Sequence, residues 1–107
     1  MGSTNDQAVI VFLEGKNLSE EVYKEYDVST LEDQLIEIIE SQSLGEYDGN
    51  EFGTEGVVLY MYTSDAENLF STIEPILQAY PLCKNARVII RQGGPGSQQR
   101  MVLLSTD

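Results

Sequence analysis

"GEYDGNEFGTEGVVLYMYTS", residues 45 to 64, decides the fold. Residues 45 to 55 carry four acids, an Asn and glycines, and residues 56 to 64 are almost wholly apolar and β-branched or aromatic. "GVVLYMYTS", residues 56 to 64, reads as a buried strand. The acidic half reads as a strand that turns back through Gly53 to Gly56 into it, with glycines for a bulge and a tight turn. A hairpin therefore sits in the middle of the chain, and the fold class depends on what flanks it.

Upstream, "AVIVFLEG", residues 8 to 15, is an apolar run ended by Gly15, suited to a central strand. The segment "KNLSEEVYKEYDV" has one candidate cap, Ser19, and reads as an irregular or short helical connection. Ser29 and Glu32 then match the S-x-x-E capping box. Leu31, Leu35, Ile38 and Ile39 follow on one helical face, and Asp33, Glu37 and Glu40 lie on the opposite one. Gly45 is the expected stop.

Downstream, Ser64 and Glu67 form a second capping box. Leu69, Phe70, Ile73, Ile76, Leu77 and Tyr80 make an apolar stripe. Pro75 falls opposite the stripe, toward solvent, which predicts one kinked helix rather than two, ended by Pro81. "ARVIIRQG", residues 86 to 93, is a further strand, "GPGSQQ" is loop chemistry, and "RMVLLS", residues 100 to 105, is a last strand pairing with its predecessor.

The order is β-α-β-β-α-β plus a strand, the pattern of an α+β, ferredoxin-like sandwich with an additional C-terminal strand. In such a fold both helices cover one face of an antiparallel sheet, and the first and third strands lie inside it. Residues 1 to 6 are expected to be a flexible polar lead-in and residues 7 to 107 one α+β domain.

Composition excludes much chemistry. The chain has no His and one Cys, so Ser-His, Cys-His and His-metal arrangements are impossible, as are an intrachain disulfide and a cysteine zinc site. Cys83 suits a reducing cytoplasm and the role of a small buried filler. Carboxylate acid/base work stays open in principle, but no pattern marks a pair in an apolar pocket, so no catalytic residue, cofactor or metal is assigned. "MGSTNDQ" lacks the basic region and apolar core of a secretory signal, and Asp6 stands where myristoylation wants Ser or Thr. No apolar run is long enough for a membrane span.

Net charge is −12, unevenly placed: most of the acids precede residue 75, and four of the six basic residues follow it. Such a field repels phosphate backbones, arguing against nucleic acid, and favours a basic protein partner or simple solubility.

Two candidate sites remain. If residues 46 to 53 are regularly extended, Glu46, Asp48 and Asn50 point to one side and Tyr47 and Glu51 to the other. Three oxygen side chains would then be placed to hold a divalent cation weakly, although Phe52 and Leu59 occupy positions where a calcium loop needs ligands. Tyr60 and Tyr62 share one side of their strand, where two tyrosines on an open face would form a docking surface, but core packing is the expected use of at least one of them. Arg87 and Arg91 also face one way, to balance acids on a neighbouring strand or to mark a small anion site. Asp33, Glu37 and Glu40 form an acidic stripe.

The D-G-x-E-x-G element (Asp48, Gly49, Glu51, Gly53), the L-Y-x-Y strand (Leu59, Tyr60, Tyr62), the D-A-x-x-L-F helix start (Asp65, Ala66, Leu69, Phe70) and the I-x-P-x-L helix (Ile73, Pro75, Leu77) resemble a set of small uncharacterised bacterial proteins. The resemblance covers roughly residues 45 to 93 and is looser in the first strand and helix. It implies a shared α+β domain with Asp48, Gly49, Glu51 and Gly53 as one local unit, and brings no catalytic residue. The resulting expectation is a non-catalytic protein-binding or regulatory module, one version being an immunity- or inhibitor-like protein against a basic partner. The alternative is a small-molecule or cation-binding domain using residues 46 to 53. A homodimer through the open sheet face is a further expectation.

Overall fold

The computed structural model describes residues 6–14, 28–53, 56–80, 83, 86–93 and 96–104. The elements are β1 (Gln7–Glu14), α1 (Val28–Ser41), β2 (Glu46–Gly53), β3 (Gly56–Thr63), α2 (Ala66–Ala79), β4 (Arg87–Arg91) and β5 (Gln99–Leu103). Residues 1 to 5 of the expected lead-in over residues 1 to 6, and the connection with Ser19, lie outside the described residues.

All five strands form one antiparallel sheet in the order β2-β3-β1-β4-β5. The two most apolar runs, β1 and β3, are interior because a strand hydrogen-bonded on both edges and packed on a face excludes water best. β1 pairs with β3 on one side, Val11 opposite Leu59, and with β4 on the other, Val11 opposite Val88.

Strand alternation then sorts the side chains. Val9, Val11, Leu13, Leu59, Met61, Val88 and Ile90 point to the covered face and are buried. There they join Leu31, Leu35 and Ile39 of α1 and Leu69, Phe70, Ile73 and Leu77 of α2 in one cluster. Each such side chain withdrawn from water contributes about 1.5–3 kcal/mol before the entropy of ordering it is set against that. Ile38 packs on the cluster's margin rather than inside it. α2 runs unbroken through Pro75, whose exposed ring sits opposite the buried stripe as expected.

Both helix starts differ from the capping-box expectation. α1 begins at Val28, so Ser29 lies in its first turn, and Glu32 sends its carboxylate to β2. In α2 the cap is Asp65, whose Oδ1 accepts the Asn68 N–H at 3.1 Å. The capping oxygen moves one residue along because Thr63 Oγ1 accepts the Asp65 N–H at 3.0 Å and the Gln7 side chain accepts the Ala66 N–H at 2.7 Å. Glu67 is thereby released to receive Arg100 of β5, Nη2 to Oε1 at 2.6 Å and Nε to Oε2 at 2.9 Å. Those bonds, chiefly, hold the Glu67 carboxyl below its usual range. The pair is well exposed, so it orients β5 more than it stabilises.

The end of α1 is also corrected. The Leu44 N–H reaches the Ile39 carbonyl at 2.9 Å and the Ser43 N–H the Glu40 carbonyl at 3.3 Å, with Ser43 at φ 52°. This is a Schellman ending in which Ser43, not Gly45, takes the left-handed position. A serine there carries a steric cost that glycine does not. Ser43→Gly should therefore raise stability by roughly 0.5–1 kcal/mol, read as a higher urea midpoint at unchanged slope.

Candidate functional site

β2 does not run as a regular strand. Tyr47 opposes Met61, but Gly49 opposes Tyr60, so Asp48 is an extra residue in a bulge. Gly49 adopts φ 145°, which favours glycine at this point. One extra residue reverses the facing of everything beyond it. The expected trio of Glu46, Asp48 and Asn50 on one side is thus overturned.

Asn50 and Tyr47 share the covered side. Their side chains both donate to Glu32 Oε2 of α1, each at 2.6 Å. Glu46 and Glu51 share the open face instead, and the Tyr60 hydroxyl donates to Glu51 Oε1 at 3.2 Å. Asp48 is exposed at the bulge. Among the described residues no three carboxylate or thiol groups come together as a metal cluster. The residues expected to form one cation site are split between two faces.

The Tyr47–Glu32–Asn50 cluster fastens β2 to α1. Burial, then the hydrogen bond to Glu32 and that group's charge, push the Tyr47 phenol far above its ordinary value. The sign follows from proton linkage. Above about pH 10 the unfolded tyrosine ionises while the folded one stays protonated. The contribution is whole below pH 10 and is lost as pH rises further. The urea midpoint should fall more steeply between about pH 9.5 and 11 in wild type than in Tyr47→Phe.

The open face brings together four of the six candidate binding residues: Glu46, Glu51, Tyr60 and Tyr62. Neither tyrosine belongs to the core; each is half-buried beside its strand neighbours. Tyr60 is raised in pKa by partial burial, by the Glu51 charge and hydrogen bond, and by Tyr62. Ile10, Phe12, Val58 and Ile89 lie on the same side, half-buried, and Met101 and Leu103 of β5 are 58% and 61% exposed there. These two residues were missed in sequence because "RMVLLS" is too short for alternation to say which side is covered.

Arg87 and Arg91 also lie on this face, and their expected neighbours are corrected. Across the adjacent strands Arg87 meets Phe12 and Leu103, and Arg91 meets Ala8 and Gln99, so no acid stands opposite either. The Arg87 guanidinium lies 5.4 Å from the Phe12 ring centroid, and Arg91 Nε donates to the Gly93 carbonyl at 2.7 Å. Acids therefore line the β2 margin of the face, arginines lie toward the β4–β5 side, and apolar groups fill the middle.

Asp33, Glu37 and Glu40 are exposed on the outer side of α1, as the helical spacing predicts. Cys83 is buried, and desolvation pushes its thiol up to about 12, so it is neutral and a poor nucleophile at physiological pH. No described helix is long and apolar enough to cross a membrane. Comparison with known proteins yields no significant match to a protein-family model, to a curated protein or to a solved structure.

Proposed function

We propose that this chain is a non-catalytic protein-binding module that engages its partner through the open sheet face. The observation that carries the reading is the apolar middle of that face, from Tyr60 across Ile10 and Ile89 to Met101, over which no described element packs. Exposed apolar surface that is contiguous and rimmed by charge is the usual mark of a protein-binding surface. The architecture we assign is a ferredoxin-like sandwich with β5 added at one margin. The strand order, the antiparallel pairing and a core shared by both helices support that assignment. A reducing cytoplasm suits a lone buried thiol. A basic partner, which net charge alone favours, would meet the acidic side of α1 at Asp33, Glu37 and Glu40; the sheet face carries acids and arginines together.

The test substitutes the two most exposed apolar residues, Met101→Lys with Leu103→Lys, which leaves the core untouched. Immobilised wild-type protein, exposed to native cell extract and to free copies of itself, should retain a protein that the variant does not. Identical retention by both would remove the sheet face from the reading.

A further inference from the structure

We infer that the open sheet face binds a second copy of this chain, face to face, about a two-fold axis parallel to the strands. The inference rests on the reading of that face as a protein-binding surface and names its occupant.

The strand register sets the side chains of the face in three rows across the sheet. One row runs Glu46, Tyr62, Ala8, Arg91, Gln99. The middle row runs Gly49, Tyr60, Ile10, Ile89, Met101. The third runs Glu51, Val58, Phe12, Arg87, Leu103. Each outer row thus has an acid at the β2 end and an arginine on β4, and the middle row has no charge.

Symmetry decides what such a face fits. A two-fold axis parallel to the strands and along the middle of the sheet keeps each row level with itself and reverses its ends. With β1 on the axis, β2 of one protomer lies over β5 of its partner and β3 over β4, so Glu46 and Glu51 each stand one strand, about 4.8 Å, to the side of the partner's Arg91 and the partner's Arg87 in the same row. The same operation lays the uncharged middle rows on one another and covers Met101 and Leu103. An axis perpendicular to the strands keeps β2 over β2 and β4 over β4, which sets acids against acids and arginines against arginines. Of these two axes the parallel one is electrically favourable, and it gives the aligned packing of two twisted sheets about 10 Å apart. Extended Glu and Arg side chains span that gap.

The contact is isologous, as a closed dimer requires, since every pairing occurs twice. The acidic stripe Asp33, Glu37 and Glu40 does not oppose it, because those residues lie on the outer side of a helix that packs on the other face of the sheet.

Mass measurement by light scattering on a sizing column tests the proposal. Wild type should run at twice the 11.9 kDa of the chain. Arg87→Glu with Arg91→Glu should be monomeric, and so should Glu46→Arg with Glu51→Arg. An equimolar mixture of the two variants should return to the dimer, since one face is then wholly acidic and the other wholly basic. Circular dichroism checks that each variant folds, and the single Arg91→Glu, expected to weaken the dimer, replaces any that does not. A monomeric wild type at micromolar concentration overturns the dimer, as do reversed variants that stay dimeric or a mixture that does not pair. A monomeric wild type that still retains an extract protein lost in Met101→Lys with Leu103→Lys overturns the dimer alone and leaves the binding face standing. Identical retention in that assay removes both.

Discussion

Gly45→Ala should destabilise the protein by roughly 3 kcal/mol or more. Gly45 enters β2 at φ 150°, a conformation that side chains rarely adopt. A Cβ built there overlaps the Tyr62 carbonyl oxygen outright and lies 2.9 Å from Thr63 Cα. Both obstacles are backbone of β3, an interior strand paired on both sides, so neither can step aside by changing rotamer. The strain of the φ and the displacement of β3 add. The thermal midpoint should fall by about 12 °C or more, with the far-ultraviolet circular dichroism at low temperature little changed. Gly49→Ala is the control: φ is 145° there too, but a Cβ has nothing within 4 Å, so only the backbone term remains. Equal losses at the two positions would show that the close approach to β3 has no energetic weight.

Thr63→Val is expected to cost about 2–4 kcal/mol. Thr63 is fully buried, and its hydroxyl donates to the Leu44 carbonyl at 2.6 Å and accepts the Asp65 N–H at 3.0 Å. It therefore joins the end of α1 to the start of α2 across the end of β3. Valine keeps shape and volume but strips a partner from two backbone groups, each of which loses about 1–3 kcal/mol if left unpaired out of water. Thr63→Ser keeps the hydroxyl and loses one methyl, so it should cost only about 1 kcal/mol. Chemical denaturation of the pair separates the two contributions, and a serine variant as unstable as the valine would mean that the methyl rather than the hydroxyl matters. Thr63 and Gly45 are in contact, so the double variant should depart from additivity.

These two residues show where sequence reading ran out. Gly45 was legible as a helix stop, since a glycine after an apolar stripe commonly is one. In the structure Ser43 takes the left-handed turn, and Gly45 is needed because β3 passes against it. That demand comes from Tyr62 and Thr63, at the far end of β3 and beyond the hairpin turn in the chain, and no local pattern records it. The capping boxes failed for a related reason. Glu32 and Glu67 stand at the right spacing to cap, but Tyr47 with Asn50, and Arg100, offer each a partner from another element. The Asp48 bulge is the largest miss for the candidate site. Alternation along "EYDGNEFG" gives two clean faces on paper, and one unpaired residue exchanges them.

By itself the sequence determined the seven described elements, their type and order, the buried sides of the two described helices, the interior placement of the strands 7–14 and 56–63, and the exclusion of histidine-dependent chemistry and of an intrachain disulfide. Hydrophobic period and composition carry that information because they are properties of neighbours along the chain. Tertiary structure alone decided which carboxylates meet which partners, that Glu46 and Glu51 share a face with Arg87 and Arg91, and that Met101 and Leu103 are left exposed beside them. Those facts depend on strand register, and register is settled by contacts between segments, where one inserted residue outweighs any local preference.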